Sequence, residues 1–102
     1  MVARDEHKVR VIARQLSDEY GVKVLGFHID LRKMSAEDEF EDIVNACLSQ
    51  YGTIDILING AAGNFLVKAE ELSLNGFKAV MEIDTVGTFL ASKVLFNKAF
   101  KP

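Results

Sequence analysis

Three short stretches hold residue types that could do chemistry. Asn59 closes the apolar run Ile54-Asp-Ile-Leu-Ile58 and opens onto the small residues Gly60-Ala-Ala-Gly63. Residues without bulk let a ligand approach the backbone closely. In parallel α/β sheets, ligands bind at the carboxyl ends of strands. The same residues also suit a tight turn from strand to helix, and the local sequence leaves both readings open. Asp84 lies three residues after Met81, four after Val80 and seven after Phe77, so on a helix it continues their face. A carboxylate there must be hydrogen-bonded, exposed in a cleft or at a rim, or protonated. Thr85, Gly87 and Thr88 around it leave room for a ligand or a second backbone. Asp30 follows Phe27-His-Ile29 at the end of a predicted strand. It reads either as a turn or cap aspartate or as an acceptor for a nucleotide's amino group or ribose hydroxyl. Arg4 and Arg32 stand near predicted strand ends, where a guanidinium fork suits phosphate oxygens. Each, taken singly, also reads as a solvated surface charge.

The elements that must position these residues alternate in type. Val9, Ile12, Ala13, Leu16 and Tyr20 fall at helical spacing, and Gly21 sits where that helix would stop. Val22 to Ile29 is rich in β-branched and apolar residues and reads as a strand. Ser35-Ala-Glu-Asp38 resembles a capping box and announces a second helix. Its apolar stripe is Ala36, Phe40, Ile43, Val44, Cys47, Leu48 and Tyr51, and Gly52 ends it. Ile54 to Ile58 is the next predicted strand. A long helical segment then runs from about Ser73 to Phe100, with Phe77, Val80 and Met81 inward. Helix, strand, helix, strand, helix is the order of βαβ units on a parallel sheet. The predicted fold class is therefore α/β.

Composition narrows the classes without choosing among them. The chain has 102 residues, enough for one small domain, with 49% hydrophobic and 26% charged residues. A net charge of -3 gives no reason to expect nucleic acid or an anionic membrane as a partner. No apolar run reaches the roughly 18 residues of a membrane span. Met1 to Lys8 lacks the apolar stretch of a secretory signal. Cys47, the single cysteine, cannot form an internal disulfide and belongs to a helical apolar stripe. His7 and His28 have no Cys or carboxylate partners at metal spacing, and no metal site is assigned.

Taken together, His28-Ile-Asp-Leu31, Ile54-Asp-Ile-Leu-Ile-Asn-Gly-Ala-Ala-Gly63 and Ile83-Asp-Thr-Val-Gly-Thr-Phe89 resemble the middle of the short-chain dehydrogenase/reductase family. Asn59-Gly-Ala-Ala-Gly-Asn-Phe65, combined with Asp84, resembles its 2,4-dienoyl-CoA reductase branch, especially the peroxisomal type. Most members of the family carry asparagine where this chain has Asp84. The resemblance covers essentially the whole chain and implies that residues 1–102 are part of an NAD(P)-binding, doubly wound Rossmann-like domain, with the third and fourth family strands and flanking helices. It implies NADPH as cofactor and a fatty acyl-CoA as substrate. The reaction it implies is reduction of a 2,4-dienoyl-CoA to a 3-enoyl-CoA in the oxidation of unsaturated fatty acids.

The roles carry over residue by residue. Asp30 matches the aspartate that binds the adenine amino group, and Leu31 lies beside the adenine. Asn59, Gly60 and Ala61 match the segment that lines the cofactor, with Gly60 in place of the commoner asparagine. Arg4 matches a basic position that meets the NADP 2′-phosphate or a CoA phosphate. Arg32, Phe65, Ser73, Leu74 and Asn75 match positions that contact the acyl-CoA. Asp84 matches an active-site residue that works with a lysine beyond Pro102. The branch also implies a peroxisomal location and a homo-oligomeric parent enzyme. Phe100-Lys-Pro102, however, is not a Ser-Lys-Leu-type signal, and cytoplasm or mitochondrion stays open.

Two family features do not occur. There is no glycine-rich turn after a first strand, and neither Tyr20 nor Tyr51 has a lysine four residues on. The expectation is an internal fragment of a longer reductase, inactive by itself, with Val2 and Ala3 as a stub of the second family strand. In a sheet of order 3-2-1-4-5-6 the third and fourth strands are not neighbours. At about 4.8 Å per strand, two missing strands leave a gap of roughly 14 Å. Neither strand would then form its native hydrogen bonds, and the chain alone is expected to unfold, aggregate or repack. Two alternatives are another short-chain dehydrogenase, such as a carbonyl reductase, and a non-catalytic remnant that binds a full-length homologue.

Overall fold

Asp5 starts the first helix. Its backbone is extended, and its side chain accepts a hydrogen bond from the Lys8 N–H at 2.9 Å, the geometry of an N-cap. The helix α1 spans Glu6–Tyr20, and Gly21 stops it in the left-handed conformation at φ 63°. Only glycine adopts that conformation without penalty, which is why the stop falls there. Val9 and Ala13 form its buried stripe, while Ile12 and Tyr20 remain exposed. The chain turns back with the Val24 N–H donating to Ser17 Oγ at 3.0 Å.

The computed structural model describes residues 1–102, in two units, Met1–Asp30 and Leu31–Pro102. The first unit holds a two-stranded parallel sheet, with β1 at Val2–Ala3 and β2 at Phe27–His28. Val2 pairs with Phe27 and Ala3 with His28. The Phe27 N–H donates to Met1 O and the Ile29 N–H to Ala3 O, each at 3.0 Å. This corrects, for the strand within Val22–Ile29, the expectation that neither predicted strand would form its native hydrogen bonds: the Val2–Ala3 stub supplies a partner. It also explains why β2 is shorter than the predicted Val22–Ile29, since a ladder extends only as far as the shorter strand. Gly26 lets α1 approach this sheet. A Cβ there would stand 2.7 Å from Val9 O and 3.2 Å from Ala13 Cβ.

The second unit is built on helices. Helix α2, Ala36–Tyr51, buries Ala36, Phe40 and Val44, with Ile43, Cys47 and Leu48 half-buried. Its N-cap is Ser35, but no capping box forms. Ser35 is already helical, and its hydroxyl donates to Glu39 Oε1 at 2.7 Å. Gly52 ends the helix at φ 82°. The predicted helix from Ser73 to Phe100 is one helical run in four pieces. They are α3 (Leu74–Met81), a π turn (Glu82–Val86), α4 (Gly87–Leu95) and a second π turn (Phe96–Phe100). Leu90, Ala91, Val94 and Leu95 are the buried apolar side chains of α4, which packs on α2. Lys93 Nζ meets Glu37 Oε1 at 2.7 Å, and Lys98 Nζ meets Glu41 Oε2 at 3.0 Å, at the rim of that contact. The Glu37 carboxylate holds the Lys93 amine above its ordinary range. Both pairs are solvent-exposed, so the apolar contact carries most of the adhesion.

Residues 53–66 run between α2 and a short 3-10 turn at Ala69–Glu71 without strand, turn or bend. Ile54–Ile58 therefore departs from its predicted strand state. Its residues favour a strand, but a strand needs a neighbour to bond, and none lies beside it. Ile56 and Ile58 are 78% and 85% exposed. The predicted turn at Gly60–Gly63 is likewise absent.

Two outcomes follow from the first unit. Gly26→Ala forces its Cβ onto the Val9 carbonyl, and denaturant titration should show a loss of roughly 1–3 kcal/mol, the usual cost of overpacking. A loss below the error of the titration would mean that α1 can shift freely. The Asp5 carboxyl is held below its ordinary 3.8, chiefly by the Lys8 N–H bond. Its stabilising contribution is thus present above about pH 3.8 and lost as the pH falls through the lowered value. Asp5→Ala should reduce helicity at neutral pH, and circular dichroism should show that difference closing in acid.

Candidate functional site

In the first unit, parallel pairing brings two predicted residues to one end of the sheet. Arg4 follows β1 and Asp30 lies two residues past β2, both beyond the carboxyl ends. Adjacent strands lie about 4.8 Å apart, so the two stand within reach of one small ligand. Arg4 is exposed and Asp30 half-buried after the buried Ile29.

In the second unit the π turn is the central feature. The Gly87 N–H donates to Glu82 O, five residues back, where an α-helix would bond four back. Asp84 lies within that turn and is exposed. Its Oδ1 accepts a hydrogen bond from the Gly63 N–H at 2.8 Å. Of the states open to this carboxylate from its spacing, the structure gives a hydrogen-bonded one at an exposed rim. Gly63 also makes room for the helix, since a Cβ there would lie 2.9 Å from Ile83 Cδ1. Gly87, buried, does the same for Leu31, whose Cδ1 a Cβ would meet at 2.8 Å. Four residues before Gly63, the Asn59 amide donates to Ser92 Oγ on α4 at 3.3 Å.

Beside the Asp84–Gly63 bond lies an apolar cleft of about 270 Å3, lined by Gly63, Asn64, Phe65, Leu72, Phe77, Val80 and Met81. Phe77 and Met81, expected inward, are 52% and 42% exposed because they face this cleft. Phe65 reaches it, and a Cβ on Gly76 would touch the Phe65 ring at 3.7 Å. Ser73 is the N-cap of α3, its hydroxyl accepting from the Gly76 N–H at 3.0 Å, and Leu74 and Asn75 form the exposed first turn. Thus Asn59, Gly60, Ala61, Phe65, Ser73 and Asp84 belong to one helix-and-loop assembly within the second unit. Arg32 is exposed on the segment leading to α2.

Several participants escape sequence reasoning. Ser92 looks like an ordinary helical hydroxyl within Leu90-Ala-Ser-Lys-Val-Leu95. Leu72 lies outside every periodic pattern. The glycine at 87 was the available sign of a close approach, and its partner is the Leu31 side chain.

The chain is similar to known proteins over nearly its full length. It is 43% identical over 101 residues to the peroxisomal 2,4-dienoyl-CoA reductase [(3E)-enoyl-CoA-producing] of Danio rerio, covering 99% of this chain and 33% of that protein. It is 37% identical over 93 residues to a probable 2,4-dienoyl-CoA reductase [(2E)-enoyl-CoA-producing] of Bacillus subtilis, covering 91% of this chain and 35% of the relative. The chain thus spans about a third of the length of these curated relatives. Among solved structures, an alcohol dehydrogenase from Thermococcus sibiricus complexed with 5-hydroxy-NADP matches with a TM-score of 0.81 at 26% identity. That match covers 95% of this chain and 40% of the other. These matches bear out the α/β, partial Rossmann-like class read from the sequence. The short chain dehydrogenase family profile matches residues 1–101, and the chain belongs to that family of oxidoreductases.

Proposed function

We propose that this chain is the central part of an NADPH-dependent 2,4-dienoyl-CoA reductase. The observation that carries the reading is the carboxylate at position 84, set on a π turn beside an apolar cleft and tied to the Gly63 N–H. The relatives' names support the substrate class, and the complex with an NADP analogue supports a nicotinamide cofactor. The chain's own residues suit such a cofactor. Arg4 and Asp30 lie at one end of a parallel sheet, and Gly60 and Ala61 are exposed and carry little bulk.

NADPH, when bound, supplies the hydride taken up at the distal end of the diene. The task left to the chain is to hold the thioester and deliver a proton next to its carbonyl while negative charge develops on the oxygen. Asp84 keeps Oδ1 on Gly63 and offers Oδ2 to orient a water or an ammonium group. With NADPH bound, Asp30 would accept from the adenine amino group, with Leu31 beside the adenine, and Arg4 would meet a phosphate. Asn59, Gly60 and Ala61 would line the cofactor. Phe65 lies along the acyl part, while Arg32 and the α3 start at Ser73, Leu74 and Asn75 take the CoA portion, since helix N-termini favour phosphate. Exposed Phe89 and Phe96 on the helical run support burial against a second subunit in the whole enzyme. The relatives' names support a peroxisomal location.

The test is turnover of 2,4-hexadienoyl-CoA with NADPH by the enzyme that contains this chain. Asp84→Ala should lower kcat on the order of 100-fold or more, the scale of a lost proton-transfer arrangement. Unchanged turnover would remove Asp84 from the chemistry. Reduction of simple ketones with no dienoyl-CoA turnover would replace the reading with a carbonyl reductase.

A further inference from the structure

The segment from Asn59 to Gly63 is fastened to one helical run at two points. Gly63 N–H bonds Asp84, and the Asn59 amide bonds Ser92. Four extended residues reach about 13–14 Å. Eight helical residues rise about 12 Å. The two spans match, so the segment lies stretched along the helix, antiparallel to it, between the two bonds. This agrees with the absence of any turn or bend from 53 to 66. The helix end of the second bond is firmly placed. Ala91 and Val94 beside Ser92 are buried, and Lys93 is paired with Glu37. The loop end has little else to hold it, because Ile58, Asn59, Gly60 and Ala61 are all exposed.

We infer that Ser92 is a positioning residue: by accepting from Asn59, its hydroxyl holds the Asn59–Ala61 run straight at the place where the cofactor would lie. The inference rests on the reading of that run as cofactor-lining. Ser92 itself touches no ligand in this arrangement. Losing its hydroxyl frees one end of the run while Asp84 still holds the other, so the effect should grade along the segment, largest at Asn59 and smallest at Gly63.

The experiment compares the enzyme that contains this chain, unaltered, with its Ser92→Ala and Ser92→Thr variants by nuclear magnetic resonance and by NADPH titration. Ser92→Ala should move the Asn59 side-chain amide signals and the Gly60 and Ala61 backbone signals, leaving Gly63 near its place. Ser92→Thr, which keeps the hydroxyl, should restore them. The NADPH dissociation constant should rise about three- to fivefold in Ser92→Ala, the scale of one net hydrogen bond, and return in Ser92→Thr. Unmoved Asn59 and Gly60 signals, or equal affinities in all three proteins, would overturn the inference. If the unaltered enzyme binds no NADPH, the cofactor reading of the run falls, and the graded signal changes still decide whether Ser92 holds it.

Discussion

A backbone with no helix or strand of its own must find its polar partners elsewhere, and residues 53–66 are under that constraint. Much of the second unit answers to it. Water can serve the exposed positions, but it fixes no direction. Direction comes from the helical run, which gives the segment a carboxylate at Asp84 and a hydroxyl at Ser92. The run can do this only because α4 is set against α2 through Leu90, Ala91, Val94 and Leu95. A shift of that apolar contact would move both fastenings together. The core and the candidate site are therefore mechanically one object, although Asp84 and Asn59 lie on the surface.

Local features of the sequence were the legible ones. Gly21 and Gly52 mark helix ends because a single residue's freedom decides a stop. The Val9–Ala13 and Phe40–Val44 stripes show which face is buried because helical spacing is a property of the sequence itself. Features that depend on distant partners were not legible. Val22–Ile29 and Ile54–Ile58 carry similar strand propensity, yet only Phe27–His28 forms a ladder, because only it meets another stretch of backbone. Nor did the apolar pattern betray the π turn. With Phe77, Met81, Ile83, Val86 and Phe89 on nearly every side of the run, an extra residue in one turn leaves no gap in the periodicity.

The candidate site divides the same way. Asp84 stood out as a charge on an apolar face, and its type alone limited what could surround it. Its partner did not stand out, since a backbone N–H is present at almost every residue and Gly63 differs only in lacking a side chain. Asp30 and Arg4 were singled out separately, and only the register of β1 on β2 puts them at one sheet end. The small size of Gly63 suited a ligand or a tight turn, and that of Gly87 a ligand or a second backbone. In the structure that room is taken up by Ile83 and Leu31. The glycines act by letting secondary elements close on one another, and the ligand-facing surface is what those closures leave between them.

The turn at Glu82–Val86 also bears on how this chain can vary in length. It holds one residue more than a regular helical turn. Deleting one of its residues would let a plain α-helix form, with every backbone bond still satisfied. Five residues of such a wide turn sweep about the same angle as four at roughly 100° each. The helix beyond would therefore keep its face, with Leu90 and Val94 against α2 and Ser92 beside Asn59. What a deletion would remove is the local bulge that carries Asp84 beside Gly63. A missing residue is thus absorbed inside the helix, as a loop absorbs one by slackening, and its cost falls on the candidate site and spares the core.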